Sequence, residues 1–251
     1  MIFYFSATGN SKHAAEVIGT KTGETLKDII ECVKENQFAF QVSGEERVGI
    51  ISPTYCWGLP VIVMEFLEKW KVEAGDNTYF YFVTTYGTTT GQSGKRANEY
   101  LEAKGHSFAA YYSVKMPDSW TPVFDLSDPE KVRRINEKAE EEIRQAADKI
   151  SRRAAGNYMR HRIPDFASKI YYKTYDTKRR TANFRVEDSC IGCGLCEKKC
   201  PADAITLKEG TPVWTREKCV MCLGCLHRCP RFSIQYGEKS KKHGQYVYPG
   251  K

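Results

Sequence analysis

Eight of the ten cysteines in this 251-residue chain fall between Cys190 and Cys229. They form two copies of one pattern, C-x2-C-x2-C-x3-C-P. The first copy uses Cys190, Cys193, Cys196 and Cys200 before Pro201; the second uses Cys219, Cys222, Cys225 and Cys229 before Pro230. Two consecutive x2 spacings let three thiolates converge on one face of a cubane iron–sulfur core. The proline turns the fourth cysteine toward the neighbouring core. The pattern therefore predicts two [4Fe–4S] clusters with crossed ligation: Cys190, Cys193, Cys196 and Cys229 at one, Cys219, Cys222, Cys225 and Cys200 at the other. Structural zinc, the competing chemistry, uses paired C-x2-C knuckles separated by a longer spacer, and fits this run poorly. Gly192, Gly194 and Gly224 leave room for backbone to wrap an inorganic core and aim amides at sulfur. Ile191, Leu195, Ile205, Val220, Leu223, Leu226 and Ile234 can exclude water from it. Burial and amide hydrogen bonds set the potential of such a site.

Three further segments are rich in hydroxyls and aromatic rings. Ser6-Ala7-Thr8-Gly9-Asn10-Ser11 follows an apolar run and precedes a helical pattern. Free amides and hydroxyls at a helix start make a site for an anion. Ser6, Thr8 and Ser11 can donate hydroxyls, while Gly9 and Asn10 suit turn dihedrals. The segment lacks Lys and Arg, so backbone amides have to hold a phosphate there; it is neither a Walker loop nor a G-x-G-x-x-G fingerprint. The other two segments are Pro53-Thr54-Tyr55-Cys56-Trp57-Gly58-Leu59-Pro60 and Thr85-Tyr86-Gly87-Thr88-Thr89-Thr90-Gly91. Cys56 stands beside Trp57, yet a lone cysteine such as Cys56 or Cys32 reads more simply as a small buried hydrophobe. His13 and His227 are expected to be solvent-facing or structural.

Strands must present these segments. Residues 1–6, 47–52, 79–85 and 107–114 read as strands, with a weaker one within 24–42. Residues 11–18, 61–71 and 93–104 read as helices. Such alternation predicts a parallel sheet covered on both faces. All three hydroxyl-rich segments then follow carboxyl ends of strands, where open α/β sheets bind ligands. A long charged helix is expected from Asp128 toward Tyr158, capped by Ser127 or Asp128 with Pro129 in its first turn. The two cysteine copies are an internal repeat: Asp188 to Pro201 recurs 29 residues later as Glu217 to Pro230. Between them, Ile205 to Trp214 reads as a hairpin around Glu209-Gly210.

Residues 185–237 closely resemble a bacterial-type two-cluster ferredoxin, on the repeated cysteine pattern. The first part, residues 1–156, resembles a flavodoxin. By that resemblance the first segment is a phosphate loop, and Trp57 lies against the isoalloxazine ring of FMN. Tyr86, Gly87 and Gly91 then lie near the ring's polar edge. The flavin-site residues implied are Ser6, Thr8, Gly9, Asn10, Ser11, Pro53, Thr54, Tyr55, Trp57, Gly58, Thr85, Tyr86, Gly87 and Gly91. The second and third loops depart from those of typical stand-alone flavodoxins. The resemblance implies an α/β doubly wound parallel sheet of order 2-1-3-4-5 plus a small α+β two-cluster domain. The whole chain resembles flavodoxin–ferredoxin fusion proteins of anaerobes, which implies electron transfer between the clusters and FMN. Residues 157–184 are then a basic, aromatic connector and residues 238–251 a mobile tail. Two alternatives stand beside this: an FMN-dependent reductase of a small substrate, and a ferredoxin with a flavin-free docking domain.

Charge is unevenly placed along the chain. Residues 1–130 carry 11 basic and 17 acidic side chains, a balance of −6; residues 131–180 carry 15 and 7, giving +8; residues 181–251 carry 12 and 7, giving +5. Each oxidised cluster with four thiolates carries roughly −2, so only the middle segment stays strongly basic. It can steer an acidic partner such as a ferredoxin or flavodoxin, or dock a partner oxidoreductase. It can equally neutralise the acidic first domain. No nicotinamide fingerprint is visible, so a protein donor is expected. The chain matches none of the known nucleic-acid modules, so no nucleic acid is expected. No eighteen-residue apolar run marks a membrane span. The absence of a signal-peptide pattern gives a cytoplasmic expectation.

Overall fold

The computed structural model describes residues 1–43 and 46–249. Its centre is a six-stranded, wholly parallel sheet. The strands are β1 (Ile2–Tyr4), β2 (Leu26–Asp28), β4 (Arg47–Pro53), β6 (Tyr79–Tyr86), β7 (Ala110–Lys115) and β8 (Gly156–Asn157), in the order β2-β1-β4-β6-β7-β8. The first five strands in that order reproduce the expected 2-1-3-4-5 arrangement; β8 is an addition at the edge. β3 (Ala39–Gln41) and β5 (Lys71–Glu73) pair separately.

Side-chain alternation along β6 explains why the sheet needs helices on both faces. Phe80 and Phe82 point into a core with Phe3, Ile50, Phe66 and Trp70. That core is closed by α2 (Ile29–Lys34), α3 (Val61–Lys69) and α4 (Ser93–Glu102). Tyr79, Tyr81 and Val83 point the other way, against α1 (Asn10–Thr22) and α5 (Pro129–Ser151). Buried tyrosines require partners for their hydroxyls. Tyr79 Oη donates to the Ala154 carbonyl at 2.7 Å, and Tyr81 Oη to Glu24 Oε2 at 3.1 Å. α5 begins as expected: Asp128 Oδ1 accepts from the amides of Glu130 and Lys131, with Pro129 in the first turn. It stops earlier than expected, because Arg153 turns left-handed (φ 52°) and the chain rejoins the sheet as β8.

The connector is a helix, α6 (Asp165–Lys178), laid between the two parts of the molecule. Ser168 Oγ donates to the Trp57 carbonyl at 2.9 Å and Tyr172 Oη to that of Leu59 at 2.5 Å. On the other side Tyr175 Oη donates to the Val220 carbonyl at 2.6 Å. Next comes the cysteine-bearing unit, built from β9 (Phe184–Val186), α7 (Leu195–Lys198), β10 (Ile205–Lys208), β11 (Thr211–Trp214), α8 (Gly224–His227) and β12 (Ile234–Tyr236). β10 and β11 form the expected hairpin. Both residues of its two-residue turn have positive φ, Glu209 at 49° and Gly210 at 77°, the geometry that matches strand twist.

The expectation of a mobile tail over 238–251 is corrected by the structure. After α9 (Ser240–His243), the chain runs back over the first domain. Tyr246 is buried, with its hydroxyl 2.7 Å from Asn10 Oδ1 and 3.1 Å from Asn136 Oδ1. Tyr248 donates its amide to the Thr8 carbonyl at 2.7 Å and stacks on His13 at 4.2 Å. Two aromatic anchors with satisfied polar ends hold a segment whose composition alone reads as loose. The expectation at Gly250 and Lys251 lies outside the described residues.

Candidate flavin cleft and cysteine cavities

The carboxyl ends of β1, β4, β6 and β7 open into one cleft with a cavity volume of about 170 Å³. Of the flavin-site residues implied by the sequence, Ser6, Thr8, Asn10, Ser11, Pro53, Thr54, Tyr55, Trp57, Thr85, Tyr86 and Gly87 line it. Gly9, Gly58 and Gly91 do not, and their glycine character has other causes. A Cβ on Gly9 would come within 2.8 Å of Tyr248 Cβ, one on Gly58 within 2.4 Å of the Tyr172 ring, and one on Gly91 within 2.3 Å of the Trp57 carbonyl oxygen. These positions let neighbouring segments press against the loops from behind.

Each loop is fixed by its own contacts. Ser6 Oγ accepts the Gly9 amide at 3.1 Å, and Ser11 Oγ shares a 2.9 Å hydrogen bond with Thr85 Oγ1, tying the first loop to the third. Gly9 is left-handed (φ 97°), and no side chain caps the first amides of α1. Those amides, beside the hydroxyls of Ser6 and Thr8, form a cradle of the kind a phosphate takes. In the second loop Tyr55 and Gly58 exchange backbone hydrogen bonds around Cys56 (φ 46°) and Trp57 (φ 67°). Two non-glycine residues held left-handed store strain of a kind concentrated at functional sites. Here it aims Cys56 and Trp57 into the cleft.

Several cleft residues escaped the sequence reading. Tyr171 of α6 packs on Trp57 with ring centroids 4.1 Å apart. Lys178 Nζ donates to Tyr171 Oη at 2.8 Å and lies 3.9 Å from Cys56 Sγ. Burial raises the Cys56 thiol pKa, so it stays neutral beside that ammonium. Across the cleft, Asp118 accepts the Trp120 amide at 3.1 Å, and burial pushes its carboxyl up to about 6. A Cβ on Gly87 would collide with Asp118 at 2.3 Å, so this glycine admits the aspartate. Only the interleaving of tyrosine with basic residues at 157–184 hinted that the connector had a function.

The cysteines divide between two smaller cavities. Cys190, Cys193, Cys196 and Cys229 line one; Cys200, Cys219, Cys222 and Cys225 line the other. The crossing follows α7 and α8: each helix keeps its third cysteine, Cys196 or Cys225, in its own copy's cavity, and the chain beyond its end places Cys200 or Cys229 in the other's. Among the described residues, no three Cys, His, Asp or Glu side chains stand close enough to grip a single ion. The quartets instead surround voids. Burial pushes the thiol of Cys219 up to about 11 and that of Cys222 to about 12. Four thiolates in such a place require a cationic core, and metal supplies one. Amides aim at sulfur as well: Ala204 at Cys200 Sγ (3.4 Å), Met221 at Cys219 Sγ (3.2 Å) and Ser233 at Cys229 Sγ (3.3 Å). The donor set fits iron–sulfur clusters.

The two quartets differ in surroundings. Around the first, Cys193 is exposed and Ile191 is 61% exposed. The second faces the flavin cleft: Met221, Cys222 and Leu223 line the cleft, and Cys222 and Leu223 also line the second cysteine cavity. Arg228 Nε donates to the Ala7 carbonyl in the first loop at 2.7 Å. His227 is buried between the units. Its Nδ1 accepts the Tyr246 amide at 3.1 Å, so its Nε2 carries the proton donated to the Ser119 carbonyl at 2.8 Å. Burial pushes its pKa down to about 4, so it is a neutral structural pin.

A parallel sheet with an anion cradle and aromatic cleft, joined to cysteine-lined cavities, defines an electron-transfer protein of the flavin and iron–sulfur class. The chain belongs to the flavodoxin-domain family, which matches residues 1–145, and a 4Fe–4S dicluster domain matches residues 189–234. It is thus a flavodoxin–ferredoxin fusion, and its domains imply FMN and iron–sulfur clusters as cofactors.

It is 45% identical over 49 residues to a component of an ion-translocating oxidoreductase complex of Methanosarcina acetivorans, covering 20% of this chain and 19% of that one. It is 37% identical over 75 residues to an uncharacterized polyferredoxin-like protein of Methanocaldococcus jannaschii, covering 25% and 44%. The chain thus spans less than half the length of either relative. A flavodoxin from the domain Archaea aligns with 57% of this chain and 97% of its own at 15% identity and a TM-score of 0.31. No helix among the described residues is long and apolar enough to cross a membrane.

Proposed function

We propose that this protein relays electrons between an outside redox protein and FMN through two [4Fe–4S] clusters of its own. Cys190, Cys193, Cys196 and Cys229 would hold the outer cluster; Cys200, Cys219, Cys222 and Cys225 would hold the inner one. Ser6, Thr8, Asn10 and Ser11 would cradle the FMN phosphate. Pro53, Thr54, Tyr55, Trp57, Thr85, Tyr86 and Gly87 would surround the rest of the cofactor. Clusters exchange single electrons and FMN takes one or two, so the pair can match one-electron and two-electron partners.

One observation carries the order of sites: Cys222 lines both the second cysteine cavity and the flavin cleft. The first quartet, with Cys193 exposed, is the place for exchange with a partner. Exposed Lys198, Lys199 and Arg231 flank that quartet. An acidic ferredoxin or flavodoxin suits them, and its electron exchange should weaken with salt. Gathered thiolates also suit a reducing cytoplasm.

The test is anaerobic purification followed by iron, sulfide and FMN analysis. The proposal expects about eight irons, eight sulfides and one FMN per chain. Zinc in place of iron, or a chain that takes up no FMN on reconstitution, would overturn it.

A further inference from the structure

The two cysteine copies differ at two positions whose backbone is the same. Gly192 and Gly194 of the first copy are left-handed, with φ of 63° and 74°. The repeat aligns them with Met221 and Leu223, which are also left-handed, at 57° and 54°. A left-handed backbone is the preserve of glycine, and a side chain there is strained. The second copy accepts that strain twice, flanking one cysteine on both sides. Met221 and Leu223 are 4% and 2% exposed, and both line the flavin cleft beside Cys222. In the first copy nothing lies within 4 Å of a Cβ built on Gly194, and Ile191 nearby faces solvent. At these two positions the exceptions therefore occur only in the copy that meets the cleft.

Resting on the relay proposed above, we infer that Met221 and Leu223 are positioning residues that keep the passage between inner cluster and flavin dry. Each passage oxidises the inner cluster by one electron and reduces the flavin by one; no bond at the junction forms or breaks. The electron comes from the outside redox protein by way of the outer cluster. Two apolar side chains at this point displace water that would otherwise reorient around the changing charge. They also hold the inner cluster in an environment of low exposure, which sets its potential. In the outer copy a Cβ on Gly192 would fall 2.8 Å from the Gly210 carbonyl oxygen, while one on Gly194 would meet open space, where bulk would only hold a partner off. Strain at a functional site is retained when it serves the site.

The test uses the full chain loaded with iron, sulfide and FMN. Leu223→Gly and Met221→Gly restore the residues of the first copy. Leu223→Asn keeps a residue that tolerates the left-handed region but makes the junction polar, so it guards against a glycine variant that fails to fold. Leu223→Met retains the apolar seal. After photochemical reduction of the clusters, flavin reduction is followed optically in single turnover, and cluster potentials by EPR titration. Leu223→Gly and Leu223→Asn should slow internal transfer by roughly tenfold or more as water enters. Leu223→Met should stay within about twofold of the parent. Iron and FMN content should not change, and a control at the exposed Phe166, Phe166→Ala, should leave the internal rate alone. Unchanged internal rates and potentials in both polar and glycine variants, with full cofactor content, would sink the inference while leaving the relay intact. A parent chain with no cluster-to-flavin transfer at all would sink both.

Discussion

Replacing Asp118 by Asn should stabilise the protein at neutral pH, and the size of the effect follows from burial. The carboxyl is held at about 6 against an ordinary 3.8 because it is removed from water, while it accepts the Trp120 amide. An asparagine oxygen can accept the same amide. The folded state binds the proton more tightly than the unfolded chain does, so stability is highest below about pH 4 and falls as pH rises through 6. At 1.36 kcal/mol per tenfold, the difference amounts to at most about 3 kcal/mol above pH 7. Asp118→Asn should therefore gain up to about 3 kcal/mol at pH 7.5 and roughly half of that at pH 5. Anaerobic urea unfolding of cluster-loaded, flavin-free protein, followed by tryptophan fluorescence, measures both. An advantage that stays flat between pH 5 and 7.5, or a loss of stability at pH 7.5, would refute the assignment of the shift to burial.

Other perturbations test other parts of the structure. Cys229→Ser should abolish the EPR signal of the outer cluster and spare the inner, although Cys229 lies in the second cysteine copy; the opposite pattern would rule out crossed ligation. Lys178→Met keeps the aliphatic stem but removes the ammonium beside Tyr171 and Cys56. It should lower the FMN two-electron potential by about 30 mV, equivalent to about 1.4 kcal/mol, in spectroelectrochemical titration. Gly49→Ala lies far from the cleft, but its Cβ would fall 2.3 Å from the buried Tyr81 ring. It should cost about 1–3 kcal/mol of stability with iron and flavin content unchanged.

The parts of this molecule written in the sequence are those set by local chemistry. Cysteine spacing announced the quartets, because ligand convergence is a matter of a few residues. The aromatic and β-branched run from Tyr79 to Thr85 and the helical patterns around it announced the sheet, because a strand buried on both faces reads as a continuous apolar run. What escaped depends on partners far along the chain. Gly58 and Gly91 looked like cofactor contacts, yet they are small because Tyr172 and the Trp57 backbone press on them. Tyr171 and Lys178 complete the cleft from a segment outside both matched domains, which no local pattern could place. The substitution of Met221 and Leu223 for glycines was visible in the repeat alignment; its meaning required knowing which copy meets the cleft.

The strap formed by Tyr246 and Tyr248 bears on how the protein is made. Thr8 and Gly9, which shape the anion cradle, precede the segment that braces them by some 240 residues. Domains emerging from the ribosome fold from the N-terminal end onward, so the sheet can form while its cradle is still unbraced. Bracing waits for the cysteine-bearing unit, since Gln245 also donates to the carbonyls of Leu226 and Cys229. Maturation of the chain is thereby ordered in time. A cradle braced through the cysteine-bearing unit ties the shape of the anion site to the folding of that unit.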